Sequence, residues 1–298
     1  MTDWIDVPYS GAFDLSASAR FLEGFTPAGK VEIGQGGEIP LAFPSAPSWR
    51  PVGALVRQAE PNGPVKVRLA ADPQDVPDAV THVRRILSLD VDGSGFPDIA
   101  DRDPVVGALQ ARSPGMRPVL FASPYEAACW SVLSQRVRMT DAAALKAQIA
   151  RRVGGRAAVP AADVELSGIQ LDTFPAPRRL LELARVPLVP EVKDVRLRAV
   201  AEAALAGDLD ADHLRSMPAS DALKDLARIP GIGVFSAELI LLRGAGHPDV
   251  LATAEPRLQA KISAAYGLVN PSVADLERVA EPWRPYRTWV SVMFRSLT

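Results

Sequence analysis

The segment LARIPGIGVFSAELILL, residues 226–242, constrains this chain more tightly than any other stretch. Apolar residues at helical spacing run up to Arg228. Pro230 then removes a backbone donor, and Gly231 and Gly233 supply a turn before a second apolar run restarts at once. The string predicts two helices closed on a tight turn, with Ile229 and Ile232 as inward anchors and small Ala237 permitting close helix packing. Glycine lets the backbone approach an outside partner, and the N–H groups opening the second helix, from Gly231 and Gly233 to Phe235 and Ser236, would face a phosphate. The carbonyls of Ile229 and Ile232 could share a monovalent cation with that phosphate. The competing reading is a ligand-free corner between helices, since Pro-Gly-x-Gly occurs in many loops.

The rest of the chain divides at about residue 88. Before it, short runs such as VEIG, IPLAF and VKVRLA stand between turn signals like GQGGE and EPNGP, which predicts an antiparallel sheet. Residues 72–89 read as a helix covering it, with Val80, Val83, Ile86 and Leu87 on one face. From residue 101 onward helical patterns dominate, in DPVVGALQAR, SPYEAACWSVLSQRVRMTDAAALKAQIARRVG and VKDVRLRAVAEAALAG. Asp103, Ser123, Ser220 and Ser272 stand at helix starts. The proline-rich stretch 160–190 reads as loops between helices. The expectation is thus α+β, with a sheet domain over 1–88 and an all-helical domain over 89–298 that carries the hairpin.

Composition bounds the chemistry. The single Cys129 cannot supply the thiolates of an iron–sulfur cluster, and His82, His213 and His247 are too scattered for a zinc site, so no cofactor is expected. A net charge of −2 argues against coating nucleic acid by bulk electrostatics, but not against a local site built from backbone amides. With neither a signal-like start nor a long apolar run, a cytoplasmic, nucleoid-associated protein without membrane contact is expected.

In four further places the chain resembles the helix-hairpin-helix DNA glycosylases, closest to their 3-methyladenine DNA glycosylase II branch. DLSASARFLEGF (14–25) resembles that branch's N-terminal signature, and SPYEAACWSVLSQRV (123–137) its helix with the DNA-wedge loop. RGAGHPDVL (243–251) and WRPYRTW (283–289) resemble its last two landmarks. The resemblance implies a sheet domain like half of the TATA-binding fold, then a helical domain whose cleft receives a nucleotide flipped out of duplex DNA. It places the gap-fillers at Gln135 and Arg136, and the essential carboxylate, an aspartate in the family, at Glu255. A carboxylate there would stabilise the positive charge that builds on the sugar as the N-glycosidic bond breaks. The competing reading of Glu255 is a helix-start residue before Pro256.

Bifunctional members of the superfamily hold a Schiff-base lysine where this chain has Phe235, so no lyase activity is expected. The base pocket is expected at Tyr125, Trp130, Phe294 and Arg295, although Trp130 and Trp289 fit core positions equally well. Arg295 stands where the closest relatives place a base-stacking aromatic, and a cation there would disfavour a positively charged base. The implied function is a monomeric, monofunctional glycosylase that removes damaged, by resemblance alkylated, bases in base-excision repair. The alternative is a catalytically weak or inactive relative that binds distorted DNA.

Overall fold

A computed structural model describes residues 1–24, 37–161 and 168–297. Four antiparallel strands, β1 (Ile5–Val7), β2 (Ile39–Ser45), β3 (Arg50–Gln58) and β4 (Val65–Ala70), form a sheet in the order β1-β4-β3-β2. The runs IPLAF and VKVRLA lie in β2 and β4, whereas VEIG lies outside the described residues. Helix α1 (Leu15–Gly24) leads into the sheet domain. Helix α2 (Val76–Ile86) follows β4 and buries Val83 and Ile86 with Phe43, Val67 and Leu69 in one core.

Beyond the sheet come α3 (Ile99–Arg102), α4 (Pro104–Arg112), α5 (Pro124–Leu133) and α6 (Met139–Val153). Then follow β5 (Gly155–Val159), β6 (Ile169–Thr173), α7 (Pro177–Glu182), α8 (Glu191–Ala206), α9 (Ala211–Ser216) and α10 (Ala219–Leu226). The chain closes with α11 (Val234–Leu239), α12 (Pro256–Tyr266), α13 (Val273–Ala280) and α14 (Arg287–Leu297). Asp103, Ser123 and Ser272 cap α4, α5 and α13 with their side chains, Ser272 in a reciprocal capping box. Ser220 does not: α10 starts one residue before it, behind Pro218.

The second half is not all-helical. β5 and β6 pair antiparallel across a stretch expected to hold only helices and loops. They cover the outer face of the sheet, where β5 crosses β3 so closely that a Cβ on Gly53 would lie 1.9 Å from the Ala158 carbonyl oxygen. The hairpin exists because that face of β3 is apolar and needs a cover, a tertiary demand invisible in GRAAV or IQLDT alone.

The described helical residues build two further cores. One joins α5 and α8 to the helices around the glycine turn, through Leu133, Leu197, Val200, Leu226 and Ile240. The other joins α4 to the C-terminal helices through Leu109, Leu258, Ile262, Trp283, Trp289 and Phe294. No helix among the described residues is long and apolar enough to cross a membrane.

Candidate functional site

Between α10 and α11 the glycine turn is formed as the spacing requires. Ile232 N–H donates to the Ile229 carbonyl at 3.0 Å, and both isoleucine side chains are buried. Gly231 has φ +90°, which a residue with a Cβ rarely adopts, and a Cβ there would also meet the Arg196 side chain at 2.5 Å. Gly233 is exposed and extended, with open space where a Cβ would stand. The first helical bond runs from Ala237 N–H to the Gly233 carbonyl at 2.9 Å, so the amides of Gly233, Val234, Phe235 and Ser236 precede the ladder. Val234 and Phe235 stand exposed beside them, while the Ser236 side chain is buried.

The loop between α5 and α6 lies against this turn. Gln135 donates from Nε2 to the Gly231 carbonyl at 2.8 Å and accepts from the Arg196 guanidinium at 2.5 Å. This glutamine therefore braces the turn from within the protein. Arg136 next to it is exposed with φ +58°, a sparsely populated conformation that turns its side chain outward, and Val137 and Met139 are exposed with it. Of the two expected gap-fillers, Arg136 is presented to solvent and Gln135 is engaged.

Helix α11 runs on as a wider π turn, Ile240–Ala245, ending at Gly246 in the left-handed region. Its Arg243 donates to the Val119 carbonyl at 2.6 Å and lies 5.0 Å from the centroid of the Phe21 ring on α1. Burial draws the Arg243 pKa down to about 10, so it stays charged at neutral pH. The loop after it is pinned twice. Arg287 at the start of α14 donates to the Asp249 carboxylate at 2.7 Å, and Thr288 exchanges hydrogen bonds with the Val250 backbone. Further on, buried Glu238 of α11 accepts from Thr253 N–H at 3.0 Å, Thr253 Oγ1 at 2.9 Å and Ala254 N–H at 2.9 Å.

Those anchors deliver Glu255 to the first residue before α12. Its carbonyl opens the helix by accepting from Gln259 N–H at 3.1 Å, but its side chain caps nothing. Instead Oε1 meets Arg295 Nε of α14 at 2.5 Å, with both side chains partly open to solvent. Lys261 of α12 donates to the Phe294 and Arg295 carbonyls, each at 3.2 Å. Two landmarks far apart in sequence, the glutamate after the hairpin and the arginine near the C-terminus, thus meet in one place.

Three of the four expected pocket residues lie elsewhere. Tyr125 is fully buried, its hydroxyl donating to the Pro175 carbonyl at 2.9 Å with Trp49 and Phe174 around its ring. Trp130 is buried in the same core, and Phe294 is packed against Trp283 and Tyr266. Helix α5 is apolar on nearly every side, so its aromatics have no open face to present. Arg295 alone of the four reaches the carboxylate. Conversely, the sequence alone marks neither Glu238 nor Phe21 strongly. The one signal for Glu238 was a lone acid in the run VFSAELILL, in phase with buried positions.

Over 217 residues the chain is 24% identical to a protein named DNA-3-methyladenine glycosylase from Bacillus subtilis, covering 71% of this chain and 69% of that one. It is 30% identical over 230 residues to a protein of Mycobacterium tuberculosis named probable bifunctional transcriptional activator/DNA repair enzyme AlkA. That match covers 74% of this chain but 42% of the relative's length. The solved 3-methyladenine DNA-glycosylase of Archaeoglobus fulgidus superposes with a TM-score of 0.73 at 19% identity, over 98% of this chain and 97% of that one. The chain is similar in sequence to proteins named DNA-3-methyladenine glycosylase and shares the fold of a solved one. No protein-family model matches the chain.

Proposed function

We propose that the protein is a monofunctional DNA N-glycosylase that removes damaged bases, alkylated ones among them, from duplex DNA. The observation that carries this reading is the Gln135 brace, which holds the Arg136 loop against the glycine turn. The turn offers open amides to a phosphate, the braced loop offers an exposed Arg136 to the gap left by a flipped base, and Glu255 follows the turn in the chain on an anchored loop. A carboxylate facing C1′ stabilises an oxocarbenium-like sugar and orients water for attack. Phe235 stands where an amine would be needed for lyase chemistry. The names of the relatives support the alkylated-base assignment. A cytoplasmic location at the nucleoid and action as a monomer accord with a single DNA-facing site.

A monovalent cation would fit at the turn. Each carbonyl oxygen has two lone pairs, and that of Ile229 uses one on Ile232 N–H, leaving the other to join the Ile232 carbonyl. Such an ion would add positive potential beside the phosphate, and no chemical step depends on it.

The test is release of free base from methylated duplex DNA under single-turnover conditions, with Glu255→Gln alongside. The wild type should release base, and Glu255→Gln should lower the rate by about two orders of magnitude while DNA affinity stays within a factor of a few. Binding without release by the wild type from alkylated, deaminated or oxidised duplexes would leave a DNA-binding relative in place of an enzyme.

A further inference from the structure

Helix α8 reaches the loop between α5 and α6 with two cations one turn apart. Buried Lys193 donates from Nζ, at 2.6 Å, to the carbonyl of Leu133, the last residue of α5. Arg196 donates to Gln135 Oε1 at 2.5 Å, and Gln135 Nε2 donates onward to the Gly231 carbonyl at 2.8 Å. Among the described residues neither cation forms an ion pair with a carboxylate; Asp194, which lies between them on the helix, is paired with Arg198. The hydrogen bonds of Lys193 and Arg196 go to the loop and to the helix that leads into it.

The chemistry of these groups gives the chain a direction. A guanidinium holds only donors, so it takes the oxygen end of the Gln135 amide and leaves the NH2 end for a carbonyl. Arg196 thereby decides which way the amide faces, and the amide decides where the loop meets the turn. Gly231 belongs to the same arrangement, because the Arg196 side chain occupies the space that a Cβ on Gly231 would need. Arg136 follows directly with φ +58°, and a residue in that sparsely populated region stays there only when its surroundings hold it. Leu133 and Gln135, the two residues held from α8, lie just before it.

Resting on the DNA-binding part of the glycosylase reading, we propose that Arg196 is a positioning residue for gap filling, acting through Gln135 with Lys193 in support. Gln135 does not enter the DNA. It ties the loop to the phosphate-binding turn, so that Arg136 stands at a fixed place relative to the bound phosphate and fills the gap without reorganising the loop. Ordering that loop before DNA arrives removes a cost that binding would otherwise meet. An open groove of about 740 Å³ along Val192, Val195, Arg196 and Gly231 leaves the guanidinium reachable from solvent, so direct contact with a DNA phosphate is the rival role.

The experiment measures affinity for two otherwise identical duplexes, one intact and one carrying a tetrahydrofuran abasic analogue, whose gap is open without any base release. The ratio of the two affinities within one protein reads gap filling, because the backbone clamp contributes to both. Wild-type protein should favour the abasic duplex by about tenfold or more. Arg196→Met keeps an apolar stem beside Gly231 but has no donor. It should lower that preference by about fivefold or more and leave affinity for the intact duplex within a factor of about three. Gln135→Met should act alike, the double variant should be no worse than either single one, and Arg196→Lys, which keeps a charged donor, should retain most of the preference. Should Arg196→Met not fold, Arg196→Gln, polar but too short to make the same bridge, answers the same question. No preference in the wild type, a preference unmoved in Arg196→Met, or single effects that multiply in the double variant overturns the proposal. So does an equal loss on both duplexes with a salt dependence shallower by about one counterion, the mark of a lost phosphate contact. The readout is independent of catalysis. A wild type that favours the abasic duplex, with the losses above, yet releases no base from any lesion removes the enzyme reading and leaves the positioning role standing.

Discussion

Glu238 shows how much a single buried residue can decide at a distance from the reacting atoms. Its oxygens accept from two backbone amides and one hydroxyl in the two residues preceding Glu255, and Gln259 of α12 reaches back to the Thr253 carbonyl from the other side. The direction of the Glu255 side chain is inherited from this loop. A glutamine at 238 has one acceptor oxygen and would aim N–H groups at an amide that is itself a donor. Glu238→Gln is therefore expected to cost about 1–3 kcal/mol of stability and to slow base release about tenfold or more, with DNA affinity nearly unchanged. Urea unfolding and single-turnover release measure the two effects separately. An unchanged rate in a destabilised variant would mean that the loop finds the same position without this anchor. The family resemblance pointed to Glu255, but the partnership with Arg295 was not readable. Both residues were singled out, for different reasons, and only folding brings α14 across to the start of α12.

At the scale of elements, legibility followed exposure. β4 and β2 were visible because turn signals bound short alternating runs, and α4 and α13 because Asp103 and Ser272 mark their starts as capping residues. β3 was not visible. Residues 52–56 are buried in succession, since the inner face lies on α2 and the outer face under β5, and a strand covered on both sides shows no alternation. The same logic misplaced the aromatic pocket, because α5 is buried all round and its sequence cannot say which side a ligand would use. The crossing of β5 over β3 makes its own demand at Gly53. Any side chain there must displace the backbone at Ala158, so Gly53→Ala should destabilise the protein by about 1–3 kcal/mol, read from the urea midpoint. Gly233 is the contrast. Its Cβ direction is open, so Gly233→Ala should fold normally and weaken binding to all DNA sequences alike, because a backbone contact positions without reading bases. Undiminished affinity in that folded variant would remove the phosphate-clamp reading.

Across the whole molecule, buried arginines tie the cores together through carbonyl oxygens. Arg117 donates to Ala12 at 3.0 Å and to Ser88 and Val91 at 3.1 Å, linking the N-terminal segment to the end of the sheet domain. Arg85 of α2 donates to the Gly244 carbonyl at 2.5 Å and to that of Ala122, which fixes the sheet domain against the helix that carries Arg243. One turn before Arg85, His82 is buried with Nδ1 3.1 Å from Ser45 Oγ. Burial first, and the Arg85 charge second, bring its pKa from 6.5 to about 3. A histidine depressed in the folded state takes up its proton more readily when unfolded. Its neutral form therefore contributes stability that is fully present above pH 6.5 and is lost as pH falls toward 3. If the whole shift is realised, the loss across that window is about 5 kcal/mol, as an order of magnitude. His82→Gln keeps a polar group beside Ser45 but cannot titrate, so its unfolding free energy should fall less steeply than the wild type's between pH 6.5 and 3. Urea unfolding at a series of pH values reads the difference. Parallel slopes would show that His82 is protonated without cost, and that acid loosens the junction between sheet and helices through other groups.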